Sequence, residues 1–264
     1  MQNLRISLVQ SEIHWHEINA NLAMYEEKIW SLKGETDVII LPEMFQTGFS
    51  IENTNLAEPI NFTSFKWLKQ LAAQTQAVIT GSFMVKEGGK TFNRLIWMKP
   101  DGGWAKYDKR HLFRMAGEDE HFDFGSERLI VEWKGWKICP MVCYDLRFPV
   151  WSRNINLEYD LLLYIANWPA VRISAWDALL KARAIENVSY SIGVNRVGTD
   201  GNGIEYNGHS AAYSPKGETL AYSETEEIIT LTLDRKALDE FRTKFPAHLD
   251  SDAFKFQDLS GGIF

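Results

Sequence analysis

Glu43, Lys109 and Cys143 each stand where a run of strand-forming residues stops: Glu43 closes DVIILPE, Lys109 closes WAKYDK and Cys143 closes KICPMVC. In α/β proteins functional groups gather just beyond the carboxyl ends of strands, where loops open over a rigid sheet. A thiol, a carboxylate and an ammonium brought together there have the parts for acyl transfer. The thiolate is the nucleophile, the carboxylate takes its proton, and the cation favours the thiolate and stabilises an oxyanion. Each residue also has an ordinary reading, as a small buried hydrophobe, a strand-end residue after Pro42, and a solvated cation within YDKRHLF. No G-x-S-x-G elbow, phosphate-binding loop or dinucleotide fingerprint offers a rival chemistry.

The elements that must position these residues follow from hydrophobic periodicity. Strands are expected at 4–10, 37–43, 77–83, 92–98, 129–133, 137–143, 161–167, 191–197 and 228–233. Helical spacing fits 19–33, 63–75, 147–157, 173–190 and 235–244. The pattern is that of an α/β sandwich. Turn signals EGGK (87–90), PDGG (100–103) and SPKGE (214–218) separate consecutive strand patterns, so hairpins mix with βα units. No linker, repeat or low-complexity tract divides the chain, and one domain over 1–264 is expected. Its last part, from about 245 to 264, reads as a C-terminal extension that either packs at a subunit or neighbouring surface or frays.

With 264 residues, 45% of them hydrophobic and 24% charged, the composition is that of a folded, water-soluble protein. A net charge of −7 with scattered lysines and arginines argues against a nucleic-acid partner. The start MQNLRISLVQSEIHWHE lacks the features of a secretory signal, and LLLYIA at 161–166 is too short to cross a bilayer, so no membrane association and a cytoplasmic location are expected. Cys139 and Cys143 would lie roughly 13 Å apart on one strand at about 3.3 Å per residue, too far for a disulfide. Without clustered histidines they make no zinc site, and free thiols suit a reducing compartment.

The strings around the three residues, LPEMFQTGF at 41–49, YDKRHLF at 107–113 and CYDLRFP at 143–149, resemble those of the nitrilase or carbon–nitrogen hydrolase superfamily and its Glu-Lys-Cys triad. Order and gaps agree, with 66 residues from Glu43 to Lys109 and 34 from Lys109 to Cys143. The likeness continues through NWPA (167–170), ARAIEN (182–187) and NRVGTDGNG (195–203); FRMAGE (113–118) and CYDLRFPVWSRN (143–154) narrow it to the bacterial omega-amidases. The resemblance implies a four-layer α-β-β-α sandwich of the nitrilase type, commonly doubled to eight layers in a homodimer, and a small-molecule amide substrate. It implies a thioester on Cys143 and no metal or organic cofactor. It also implies a second glutamate seven positions before a loop glycine, which is Glu118 before Gly125, with Glu120 as the rival. In an ordinary reading Glu118 instead pairs with Arg114 or His111.

An omega-amide of a dicarboxylic monoamide such as 2-oxoglutaramate or 2-oxosuccinamate carries a carboxylate that needs a cation. Arg147, Arg172 and Arg196 are candidates, although Arg147 also reads as an ion-pair partner of Asp145. Tyr144 would lend its backbone N–H to the oxyanion, and Phe45, Tyr107, Phe113 and Trp168 would wall the substrate. Other readings are nitrile or N-carbamoyl hydrolysis on the same nucleophile, a non-enzymatic binding module, and a redox switch at Cys143.

Overall fold

The computed structural model describes residues 2–254. Two β-sheets face each other, each with helices on its outer side, which is the α-β-β-α layering the resemblance implies. The first sheet runs, edge to edge, through Glu227–Leu233, Leu4–Gln10, Val38–Ile40, Val78–Glu87, Lys90–Met98 and Trp104–Asp108, with Glu58–Pro59 beside Val78–Glu87. The second runs through Thr219–Ser223, Ser210–Tyr213, Tyr190–Val194, Leu161–Ile165, Trp136–Val142 and Val131–Trp133. The inner strands of each sheet are parallel; the flanks are antiparallel, some as hairpins and one by pairing Leu4–Gln10 with the distant Glu227–Leu233.

Alternation along the strands builds the layers, because successive side chains point to opposite faces. Val38 and Ile40, with Leu95 and Trp97, join the core shared with the second sheet. Their neighbours Ile39, Leu41, Ile96 and Met98 pack outward against Leu22, Tyr25 and Ile29 of helix Ile18–Trp30 and Phe65, Leu68 and Leu71 of helix Thr63–Thr75. On the second sheet, helix Ile173–Asn187 seats directly on Gly193. A Cβ there would fall 2.4 Å from Leu180 and 2.5 Å from Trp176, so only glycine admits this approach.

Among the expected elements that end differently, three do so for a plain local reason. The strand expected to reach Glu43 stops at Ile40, since Pro42 has no N–H for the ladder and Met44 turns at φ 43°. The helix expected over 147–157 breaks into short turns at Pro149–Ser152 and Ile155–Leu157. Side-chain bonds override helical spacing there: Arg153 reaches the Glu186 carbonyl at 2.6 Å, and Asn154 Nδ2 reaches the Tyr159 carbonyl at 2.9 Å. The strand expected to include Cys143 ends at Val142, and Cys143 takes a left-handed φ of 47°. Of the C-terminal extension, residues 247–250 form one short turn, and 255–264 lie outside the described residues. No helix among the described residues is long and apolar enough to cross a membrane.

Candidate active site

Both sheets deliver their strand ends to one place. Glu43 and Lys109 follow strands of the first sheet, while Cys143 and Asn167 follow neighbouring parallel strands of the second. Lys109 Nζ lies 3.0 Å from Glu43 Oε1, and 3.0 and 2.9 Å from the two oxygens of Glu118. All three side chains are buried. Glu118 therefore takes neither ordinary partner, for Arg114 pairs with Asp119 and His111 with Asp145. Glu120 is exposed on the same short helix. The loop glycine Gly125 donates its N–H to the Lys109 carbonyl at 3.0 Å, and a Cβ on it would sit 2.1 Å from the Asp108 carbonyl oxygen, which excludes any side chain.

Two asparagines that periodicity overlooked complete the cluster. Asn93 Nδ2 donates to Glu43 Oε1 at 2.7 Å, and the Asn167 backbone N–H donates to Glu43 Oε2 at 2.8 Å. Asn167 Nδ2 also holds the Glu43 carbonyl at 2.5 Å, and the Cys143 thiol faces the Asn167 carbonyl at 3.9 Å. The sequence signal for Asn93 is slight, an amide inside FNRLIWM, a residue type depleted in strands. Asn167 lay within the NWPA string.

Charge states follow from this geometry. Burial pushes the Lys109 ammonium toward neutrality, but Glu118 and Glu43 outweigh it and hold the lysine above its ordinary pKa. Burial raises Glu118, reinforced by Glu43 and opposed by Lys109. Burial likewise pushes the Cys143 thiol well above the ordinary thiol range, the negative charge of Glu43 adds to that, and Lys109 only partly counters it. Burial and the neighbouring carboxylate thus favour the protonated thiol of Cys143 over a standing thiolate.

Cys143 and Lys109 open into a cavity of about 110 Å³, whose walls include Phe49, Phe113, Tyr144, Arg147, Trp168 and Arg172. The Arg147 guanidinium lies 4.9 Å over the Trp168 ring and that of Arg172 lies 5.0 Å over Phe113. Neither forms an ion pair with a carboxylate among the described residues, so the pairing of Arg147 with Asp145 is not formed. Arg196 is elsewhere, fully buried over the Tyr206 ring and bonded to the Ile13 and Val197 carbonyls. Phe45 and Tyr107 do not line the cavity. Phe45 packs between Tyr25, Trp67 and Phe83 in the helix-facing core, and Tyr107 turns its hydroxyl to Asp145. The far wall comes from a segment with little periodicity, Asp200, Asn202, Ile204 and Tyr206. Among the described residues, no group of three or more His, Cys, Asp or Glu is arranged to hold a metal ion.

A carboxylate–ammonium–carboxylate chain beside a buried thiol, at the joined strand ends of two sheets, defines a thiol-dependent acyl-transfer centre. The carbon–nitrogen hydrolase family profile matches residues 5–243, and the chain belongs to that family. It is 47% identical to the omega-amidase YafV of Escherichia coli over 97% of this chain and 99% of that protein. It is 32% identical to the 2-oxoglutaramate amidase of Bacillus subtilis, over 93% and 96% respectively. Among solved structures, a carbon–nitrogen hydrolase superfamily protein of Xanthomonas campestris, with an arsenic adduct in its active site, superposes with a TM-score of 0.96 at 46% identity, covering 97% of this chain and 100% of that one.

Proposed function

We propose that this chain is an omega-amidase, releasing ammonia from small dicarboxylic monoamides such as 2-oxoglutaramate through a thioester on Cys143. The observation that carries the reading is the company Cys143 keeps: a buried Glu43–Lys109–Glu118 chain on one side and, on the other, two arginines that form no ion pair with a carboxylate among the described residues. The names of the Escherichia coli and Bacillus subtilis relatives support the same substrate class.

In the first half-reaction Glu43 takes the Cys143 proton as sulfur bonds to the amide carbon. Negative charge moves to the carbonyl oxygen. Lys109 meets that charge with an N–H proton, since a shared bond to Glu118 leaves one of its three protons for substrate. The Tyr144 backbone N–H, at the start of the turn Cys143–Arg147 where helical amides lack internal acceptors, is the second donor. Collapse breaks the carbon–nitrogen bond while Glu43 returns its proton to nitrogen, and ammonia leaves. Water then attacks the thioester as Glu43 takes a proton from it; the sulfur departs and recovers that proton. Glu118 fixes Lys109 throughout. Arg147 and Arg172 hold the distal carboxylate, while Phe113 and Trp168 back the two guanidinium groups.

The proposal extends to one domain over residues 1–264, a cytoplasmic setting consistent with two unbridged thiols, and a homodimer. Val171 just before helix Ile173–Asn187, Ile185 on it and Val150 on the short turn Pro149–Ser152 are exposed apolar side chains available to a second copy. Ammonia release from 2-oxoglutaramate, glutamine, an N-carbamoyl compound and an aliphatic nitrile, measured in parallel, tests the reading. Omega-amide turnover should dominate and vanish in Cys143→Ala; best turnover of the nitrile, or activity surviving that substitution, overturns it. Sedimentation as a monomer alone removes the dimer.

A further inference from the structure

The string CYDLRFP contains an acid that the reaction leaves unused. Asp145 is fully buried, and four donors converge on it. The Tyr107 hydroxyl reaches Oδ2 at 2.7 Å and the Val142 backbone N–H reaches the same oxygen at 3.0 Å. The His111 backbone N–H reaches Oδ1 at 3.0 Å and the His111 Nδ1 at 2.8 Å. Tyr107 and His111 bracket Lys109 by two residues on either side; Val142 immediately precedes Cys143. One carboxylate thus joins the backbone that carries the lysine to the backbone that carries the nucleophile.

We infer that Asp145 is a positioning residue of this enzyme, holding the Cys143 turn and the Lys109 segment at the separation that attack on the carbonyl requires. Two further contacts stiffen the joint. Trp151 Nε1 donates to the Tyr107 hydroxyl at 3.0 Å, and the His111 ring stacks on Phe148 with centroids 3.7 Å apart. The left-handed φ of 47° at Cys143 is a conformation that an L-residue holds only when its surroundings impose it. The bond from Val142 N–H to Asp145 imposes it from one residue away. Asp145 touches neither cavity nor substrate, so its influence falls on the rate of the chemical step and spares substrate binding.

This inference rests on the reading of Cys143 and Lys109 above, and the two fail differently: activity in Cys143→Ala sinks that reading, and the following measurements sink this one. In Asp145→Asn the amide nitrogen cannot accept, so whichever position it takes leaves one backbone N–H, that of Val142 or that of His111, without its acceptor. With folding verified by near-ultraviolet circular dichroism, kcat should fall about 100-fold, KM should stay within about threefold, and alkylation of Cys143 by iodoacetamide, followed on its own peptide, should slow. Tyr107→Phe, which removes one donor of four, should lower kcat about fivefold at constant KM. A parental kcat in Asp145→Asn, or a loss expressed in KM alone, overturns the assignment. If Asp145→Asn does not fold, a parental kcat in Tyr107→Phe overturns it instead.

Discussion

Lys109 Nζ lies 2.9 and 3.0 Å from the two carboxylate oxygens of Glu118, with neither side chain open to solvent. Together with Glu43 this makes one buried cation between two buried anions, and the two kinds of charge are not equally expendable. Lys109→Met strands both carboxylates and should destabilise the fold by about 3–5 kcal/mol. Glu118→Gln leaves Lys109 paired with Glu43 and should cost about 1–3 kcal/mol. Urea unfolding of the two variants should preserve that order, while ammonia release falls at least about 100-fold in each. Equal stabilities would mean that Glu43 and Glu118 do not share one cation.

The backbone at Cys143 allows a test independent of chemistry. An L-residue in the left-handed region bears roughly 1–2 kcal/mol of strain that glycine escapes. Cys143→Gly and Cys143→Ala should both be inactive, with the glycine variant the more stable by about 1 kcal/mol. Urea midpoints in the reverse order would show that the φ of 47° is not imposed on the native chain.

Arg147 and Arg172 should act on one end of the substrate only. Replacing either with Met removes charge-assisted hydrogen bonds to a carboxylate worth about 1.5–3 kcal/mol, or roughly 10–100-fold in KM. A neutral short-chain amide, lacking the carboxylate, should change little. Comparison of kcat/KM for the two substrates in each variant decides the matter, and equal losses on both would remove the arginines from the role.

The raised thiol pKa at Cys143 has a definite sign. Burial and Glu43 keep the proton on sulfur through neutral pH, so the thiolate fraction in free enzyme grows only above the ordinary thiol range. Iodoacetamide should therefore label free Cys143 slowly at pH 7 and faster as pH rises, with its inflection above about 8.5. An inflection near pH 6 would reveal a standing thiolate–ammonium pair and transfer the activating role from Glu43 to Lys109.

The α/β character was legible in the periodicity, but the layering came only with the family resemblance: Val38, Ile39, Ile40 and Leu41 form an unbroken apolar run because both faces are buried, and such a run does not say which side chains meet the other sheet. Helix Thr63–Thr75 kept its expected ends, and strand Leu4–Gln10 did too. Strand Ser210–Tyr213 escaped notice, since SAAY has small side chains with little strand preference and is paired on both sides by tertiary context. In the site, residue type and strand-end position singled out Glu43, Lys109 and Cys143, which the fold brings together. Phe45 and Tyr107 were drawn to the cavity by being aromatic and adjacent to motif residues. Periodicity does not reveal which way a side chain leaves a turn, and theirs leave into the helix-facing core and toward Asp145. Asn93 and Asn167 have no such prominence in one dimension; their value comes from a carboxylate 50 and 124 residues away.

Cys143 hangs from one sheet and Glu43 and Lys109 from the other, so the geometry of the proposed reaction is measured across the gap between them. The apolar layer containing Ile40, Trp97, Ile138 and Leu163 acts as the spacer that sets this gauge. Thinning or thickening it, even far from the cavity, shifts the two halves of the apparatus against each other before it unfolds either. Turnover in this enzyme is thereby a caliper for its own interior, registering small slips between the sheets that a melting curve would pass over.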